Sequence, residues 1–139
     1  MAPPSPARLY AATAGVALMA TGIVGFFYSA SFGAPGEVSE MLGAVEVNGW
    51  ANVLYVAAGS AGLLAATAAP RGFALLAGLL FTAIGVWGLA LGGGEAILDL
   101  LPTGAGASAL ALIVGLLGLA SAASSASSEA GAEVAGDGL

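Results

Sequence analysis

The sequence predicts an all-α membrane protein, a four-transmembrane-helix bundle built from two parallel-repeat helical hairpins, with a disordered C-terminal tail. Three observations predict it. First, 59% of the 139 residues are hydrophobic and only 7% are charged, with a mean hydropathy of +1.01, whereas a soluble domain carries about a quarter of its residues charged. Second, four uncharged apolar stretches alternate with polar connections. Third, the glycine spacing of the first half recurs in the second. A soluble domain this small leaves much of its surface in water, so its core could not hide this much apolar side chain.

The inventory also excludes functions. There is no Cys and no His, so disulfides, thiol chemistry and the usual zinc or copper sites are out of reach, and no cofactor is expected. A net charge of −6 with two arginines and no lysine cannot supply the basic surface that nucleic acid requires. An acidic, lysine-free chain of this kind suits a halophile's high-salt cytoplasm, where carboxylates stay hydrated and their repulsion is screened.

The elements follow in order. Residues 1–8, with prolines at 3, 4 and 6, read as a lead in which no helix begins until the prolines are past. The first span, about 9–28, carries no charge and as a helix rises roughly 30 Å, the thickness of the hydrocarbon core. Its rival reading is a signal peptide with Arg8 as the basic region and Ser29, Ala30 and Ser31 as the cleavage site, which the repeat described below disfavours. Residues 29–46 hold Gly33, Pro35, Gly36, Glu37, Glu40 and Glu46 and belong in water or among headgroups. The second span covers about 50–69 and stops at Pro70, Arg71 and Gly72, a tight turn that makes spans two and three antiparallel. The third, about 73–91, closes at Gly92, Gly93 and Gly94. An acidic connection with Glu95 and Asp99 leads through Leu101 and Pro102 to the fourth, about 107–123, and residues 124–139 read as a disordered acidic tail.

Four spans put Arg8 and Arg71 on one side of the membrane. The positive-inside rule makes that side cytoplasmic, so the expectation is a multi-pass protein of the cell membrane with both termini inside and both acidic connections outside.

The repeat is read from glycines. Gly15, Gly22 and Gly25 of span one match Gly78, Gly85 and Gly88 of span three, and Leu54, Gly59, Gly62 and Leu63 match Leu110, Gly115, Gly118 and Leu119 at one constant offset. Two hairpins in the same orientation imply an axis along the membrane normal. The glycines have a packing explanation, because small residues let helices approach closely where lipid gives little hydrophobic driving force between them. In span two, Asn48, Asn52, Tyr55, Gly59, Gly62 and Ala66 share one helix face, and Gly104, Ser108, Ala111, Gly115, Gly118 and Ala122 form the matching stripe in span four. These stripes are expected to face each other or to face spans one and three.

Few residues could carry chemistry. Asn48, Trp50, Asn52 and Tyr55 form a polar cluster that could line a site or meet a headgroup. The structural reading is favoured: Asn48 caps the second helix, and Trp50 and Tyr55 belong to an interfacial aromatic belt. Glu37, Glu40, Glu46, Glu95 and Asp99 could offer oxygen ligands to a cation, but without a regular loop spacing they read as solvated loop charge, and no metal site is assigned. The spans contain no ionisable Asp, Glu, Lys, Arg or His, which disfavours ion-coupled transport. No phosphate-binding or dinucleotide motif and no nucleophile–base pair is present, so an enzyme, and hence any catalytic residue, is not expected.

The runs LGAVEVNGWANVLYVAAGSAGLLAA and ILDLLPTGAGASALALIVGLLGLA resemble a family of small four-span membrane proteins, domain of unknown function 4383. Its members show G-x-F-E-V-N-x-x-H-N-x-x-H leading into span two and L-P-x-N-x-x-D-N-x-x-H leading into span four. Gly43, Glu46, Val47, Asn48 and Asn52 match the first motif, and Leu101 and Pro102 the second. Ala51 and Tyr55 stand where the family has His, and Gly104, Ala107, Ser108 and Ala111 replace its Asn, Asp, Asn and His. The resemblance, which covers most of the chain from Leu9 to Ala123, implies fold and location, and no histidine-based metal, haem or proton role carries over.

The expected function is that of a non-enzymatic structural or accessory membrane component packing with lipid, with a second copy as a homo-oligomer, or with a membrane protein partner. The alternative is a small channel or passive transporter with a pathway between the hairpins near Asn52 and Tyr55. A weaker third reading is an enzyme acting on lipid at the outer interface.

Overall fold

A computed structural model describes residues 3–33 and 38–137, so Pro35, Gly36 and Glu37 of the first connection lie outside the described residues. Among the described residues the helices are α1 (Pro6–Phe26), α2 (Gly49–Ala68), α3 (Pro70–Leu91) and α4 (Ala105–Asp137). All four are long and apolar enough to cross a membrane, which makes this a multi-pass membrane protein built as a helical bundle.

The helix ends follow from their capping residues, and several differ from the expected spans. α1 starts at Pro6 rather than Leu9, because proline at the first helical position gives up only an N–H that has no partner there. The Ser5 side chain accepts the Arg8 N–H at 3.2 Å. Only Ala69 separates α2 from α3, and Pro70, Arg71 and Gly72, expected as the turn, form the first turn of α3. Gly92 ends α3 at φ 79°, in the left-handed region where glycine meets no Cβ penalty.

The largest difference lies in the tail. Residues 124–137 continue α4 as helix instead of standing disordered. Alanine is the best helix former, and a segment that extends an existing helix avoids the cost of nucleation. At 33 residues α4 is about 50 Å long, well beyond the roughly 30 Å of a hydrocarbon core. Ser125 on the extension is buried, and its Oγ accepts the Ala7 N–H of α1 at 2.9 Å.

The close helix pairs are α1 with α2 and α3 with α4. Both predicted stripes are buried along their full length, and the second of the two expected arrangements is found: the α2 stripe packs on α1 and the α4 stripe on α3. A Cβ on Gly59 would meet the Met19 and Gly15 backbone, and one on Gly115 would overlap Thr82. Gly15 and Gly22 lie against Leu63 and Val56, as Gly78 and Gly85 lie against Leu119 and Leu112.

The hairpins join through an exchange. Gly62 of the first hairpin receives the Phe73 ring of the second, and Gly118 of the second receives Tyr10 of the first. The two rings meet at 6.0 Å between centroids, and the Tyr10 hydroxyl donates to the Val114 carbonyl at 2.7 Å. Deeper in the bundle Tyr55 stacks on Phe81 at 6.5 Å.

The described parts of the polar connections next to α2 and α4 are more regular than composition suggests. Each folds as a short antiparallel hairpin: β1 (Ser39–Met41) pairs with β2 (Val45–Val47), and β3 (Ala96–Ile97) with β4 (Leu101–Pro102). Their turns match, with positive φ at Leu42 and Gly43 in one and at Leu98 and Asp99 in the other.

Candidate functional site

The end of the bundle bearing the two β-hairpins gathers the polar cluster. Asn48 stands at the N-cap of α2, where its Oδ1 accepts the Ala51 N–H at 2.8 Å, while its Nδ2 donates to the Leu100 carbonyl of the second loop at 2.7 Å. One side chain therefore caps its own helix and ties the two halves together.

Asn52, one turn on, is 0% exposed and donates to the Ser29 carbonyl at 2.9 Å. Its amide lies against Gly25, where any Cβ would overlap it. Among the described residues its Oδ1 has no hydrogen-bond partner, and it faces the Gly25 backbone, a position suited to a weak Cα–H contact. The Trp50 indole donates to the Phe32 carbonyl at 3.0 Å, and its ring meets Phe32 edge-on at 5.3 Å. Trp50 remains partly exposed at the bundle rim, as an interfacial residue would be. Tyr55, grouped with it in the expected belt, is instead buried on Phe81.

Between the two loops opens a cleft of about 730 Å³ lined by Glu40, Glu46, Glu95 and Asp99 together with Asn48 and Thr103. Among the described residues no three potential ligand side chains converge as a metal ion requires. Thr103 shapes the floor, its Oγ1 lying 2.6 Å from the Gly92 carbonyl and 2.7 Å from that of Glu95. A smaller pocket of about 20 Å³ adjoins the cleft at Pro102 and is lined by Ala51, Tyr55, Phe81, Ala107, Ser108 and Ala111 among others. That is room for about one water molecule.

Glu46 is the residue that sequence reasoning misplaced. Expected as solvated loop charge, it is half-buried, and its Oε2 accepts the Ala107 N–H in the first turn of α4 at 2.7 Å. Gly104 lies against the same carboxyl group and Gly106 against the Ala44 carbonyl, so two glycines let the first loop settle on the start of α4. The signal was present in the repeat: Gly104 occupies the position of Asn48, leaving α4 without a side-chain cap of its own.

The opposite end of the bundle holds both arginines. Arg8 donates from Nε to the Ala66 carbonyl at 2.9 Å, near the C-terminus of α2 where a cation is favoured. Arg71, its counterpart in the repeat, pairs with Glu129 on the α4 extension at 3.0 Å.

No curated protein and no solved structure matches the chain. The family model described as Domain of unknown function (DUF4383) matches residues 8–124, a stretch that holds the four helices from the first turn of α1 to the tail and both loop motifs. The chain belongs to that family.

Proposed function

We propose that this protein is a non-enzymatic structural or accessory component of the cell membrane, packing with lipid, a second copy of itself or a partner membrane protein. The observation that carries the reading is the employment of the polar cluster. Asn48, Trp50 and Asn52 each donate to a backbone carbonyl of this same chain, so these groups hold the bundle instead of awaiting a substrate. A pathway between the hairpins draws no comparable support, since Asn52 and Ser108 are buried and the pocket beside Tyr55 has the volume of one water.

The hairpins are read as a parallel repeat about an axis along the membrane normal. Support comes from matched glycine contacts, matched loop turns and the exchange of Tyr10 and Phe73 across the junction. Both termini are proposed to lie in the cytoplasm; the reading is supported by Arg8 and Arg71 at one end and the carboxylate-lined cleft at the other.

Isolation in native lipid with identification of whatever copurifies tests the functional reading. Recovery of a stoichiometric membrane protein or of a defined oligomer is the expected result. A monodisperse monomer that carries no partner and conducts solute when reconstituted would replace it with the transport reading.

A further inference from the structure

The two helices that begin at the cleft are capped differently. In α2 the third N–H, that of Ala51, is taken by Asn48 from the same helix end. In α4 the equivalent N–H, that of Ala107, is taken by Glu46 from the other hairpin. Glu46 reaches it through the space left by Gly104, where even a Cβ would overlap its carboxyl group. Glu46 and Gly104 line the cleft, Ala107 lines the smaller pocket, and Pro102 borders both.

We propose that the Glu46 carboxylate is a removable clasp: it replaces the missing cap of α4, pins the first loop to the second hairpin, and keeps the narrow pocket beside the buried Ser108 from widening into the outer cleft. A carboxylate suits the role, since the first turn of a helix offers unpaired N–H groups and the positive end of its dipole. The contact is also the weak point of the seam. Glu40 lies directly across the strand pair from Glu46, a like-charge arrangement that disfavours the closed loop, and Glu95 and Asp99 add negative charge around the same cleft. When Glu46 withdraws, α4 loses its cap and the pocket lined by Tyr55 and Ser108 widens into the cleft.

The chain contains no cysteine, so a single Ser108→Cys replacement reports access to the pocket through its rate of modification by a membrane-impermeant maleimide. In the purified protein in lipid nanodiscs, Glu46→Ala should raise that rate about tenfold, the shift in opening equilibrium that loss of a helix cap of ordinary strength gives. Adding Gly104→Asn to Glu46→Ala should restore protection, because α4 then carries its own cap as α2 does. Gly104→Asn alone should also raise the rate, since the Glu46 side chain, still present, is driven against the new one and wedges the first loop away, a clash that the double variant lacks. Should Glu46→Ala fail to fold, Glu46→Gln, which keeps an acceptor oxygen without the charge, should give a smaller rise. Equal rates in all variants, or a double variant more reactive than Glu46→Ala, would overturn the proposal.

Discussion

Asn52 and Gly25 are best understood as one unit, because the amide fills the space that a Cβ on the glycine would claim. Asn52→Ala removes the bond to Ser29 and should lower stability by about 1–3 kcal/mol, the usual range when a buried hydrogen bond is broken. Gly25→Ala should cost a similar amount by displacing the amide, and the double variant should be less destabilised than the sum of the two, as expected for residues in contact. Denaturant titration in mild detergent measures all three, and simple additivity would mean the pair is not coupled. The N-cap of α2 gives a second case: Asn48→Ala should cost about 1–2 kcal/mol, since it removes a cap and a link between the loops. A loss confined to helix fraying, with the Leu100 loop unchanged, would contradict the linking role. Asn48 was legible in the sequence because cap chemistry is local. Asn52 was legible only as polar, since its partner at Ser29 is remote in sequence and its fit against Gly25 is a tertiary fact.

At the scale of elements, the glycine stripes decide how the helices pair. Gly59→Leu and Gly115→Leu should abolish the folded monomer, because each side chain would be driven into the backbone of the facing helix. Gly72→Ala and Gly131→Ala, where nothing stands within 4 Å, should be neutral or stabilise slightly through helix propensity. Thermal-shift and size-exclusion profiles separate the two groups, and an intact Gly59→Leu protein would remove the packing account. The extension of α4 offers a finer contrast. Ser125→Ala should destabilise by about 1 kcal/mol through loss of a buried bond to Ala7, whereas Glu129→Ala should change little because its ion pair with Arg71 is exposed. The stripes were legible because steps of three and four mark a helix face wherever it occurs. The helical extension was not, because Ser, Ala and Glu without an apolar face read as tail, and the buried contact of Ser125 with the start of α1, which anchors its first turns, is a tertiary fact. The short β-hairpins were missed for a related reason, since two or three residues per strand are too few to display a period.

For the whole molecule, a seam of exchanged aromatic side chains and interlocked loops joins two hairpins into one bundle. Its outward faces carry exposed Leu, Val, Ile, Phe and Trp, as lipid contact requires. The acidic, lysine-free surface predicts a salt effect: molar potassium chloride should raise thermal stability through screening of the loop carboxylates, and a fall with salt would contradict the high-salt reading. The central claim is a four-span bundle whose two ends face opposite sides of the membrane. Single cysteines in this cysteine-free chain test it most directly, with Pro3→Cys and Gly131→Cys at one end and Glu95→Cys and Asp99→Cys at the other, treated in intact cells with an impermeant maleimide. The Glu95 and Asp99 positions should react at once, while the Pro3 and Gly131 positions should react only after permeabilisation. Reaction of Pro3 and Gly131 from opposite sides, or of all four positions from one side, would contradict it.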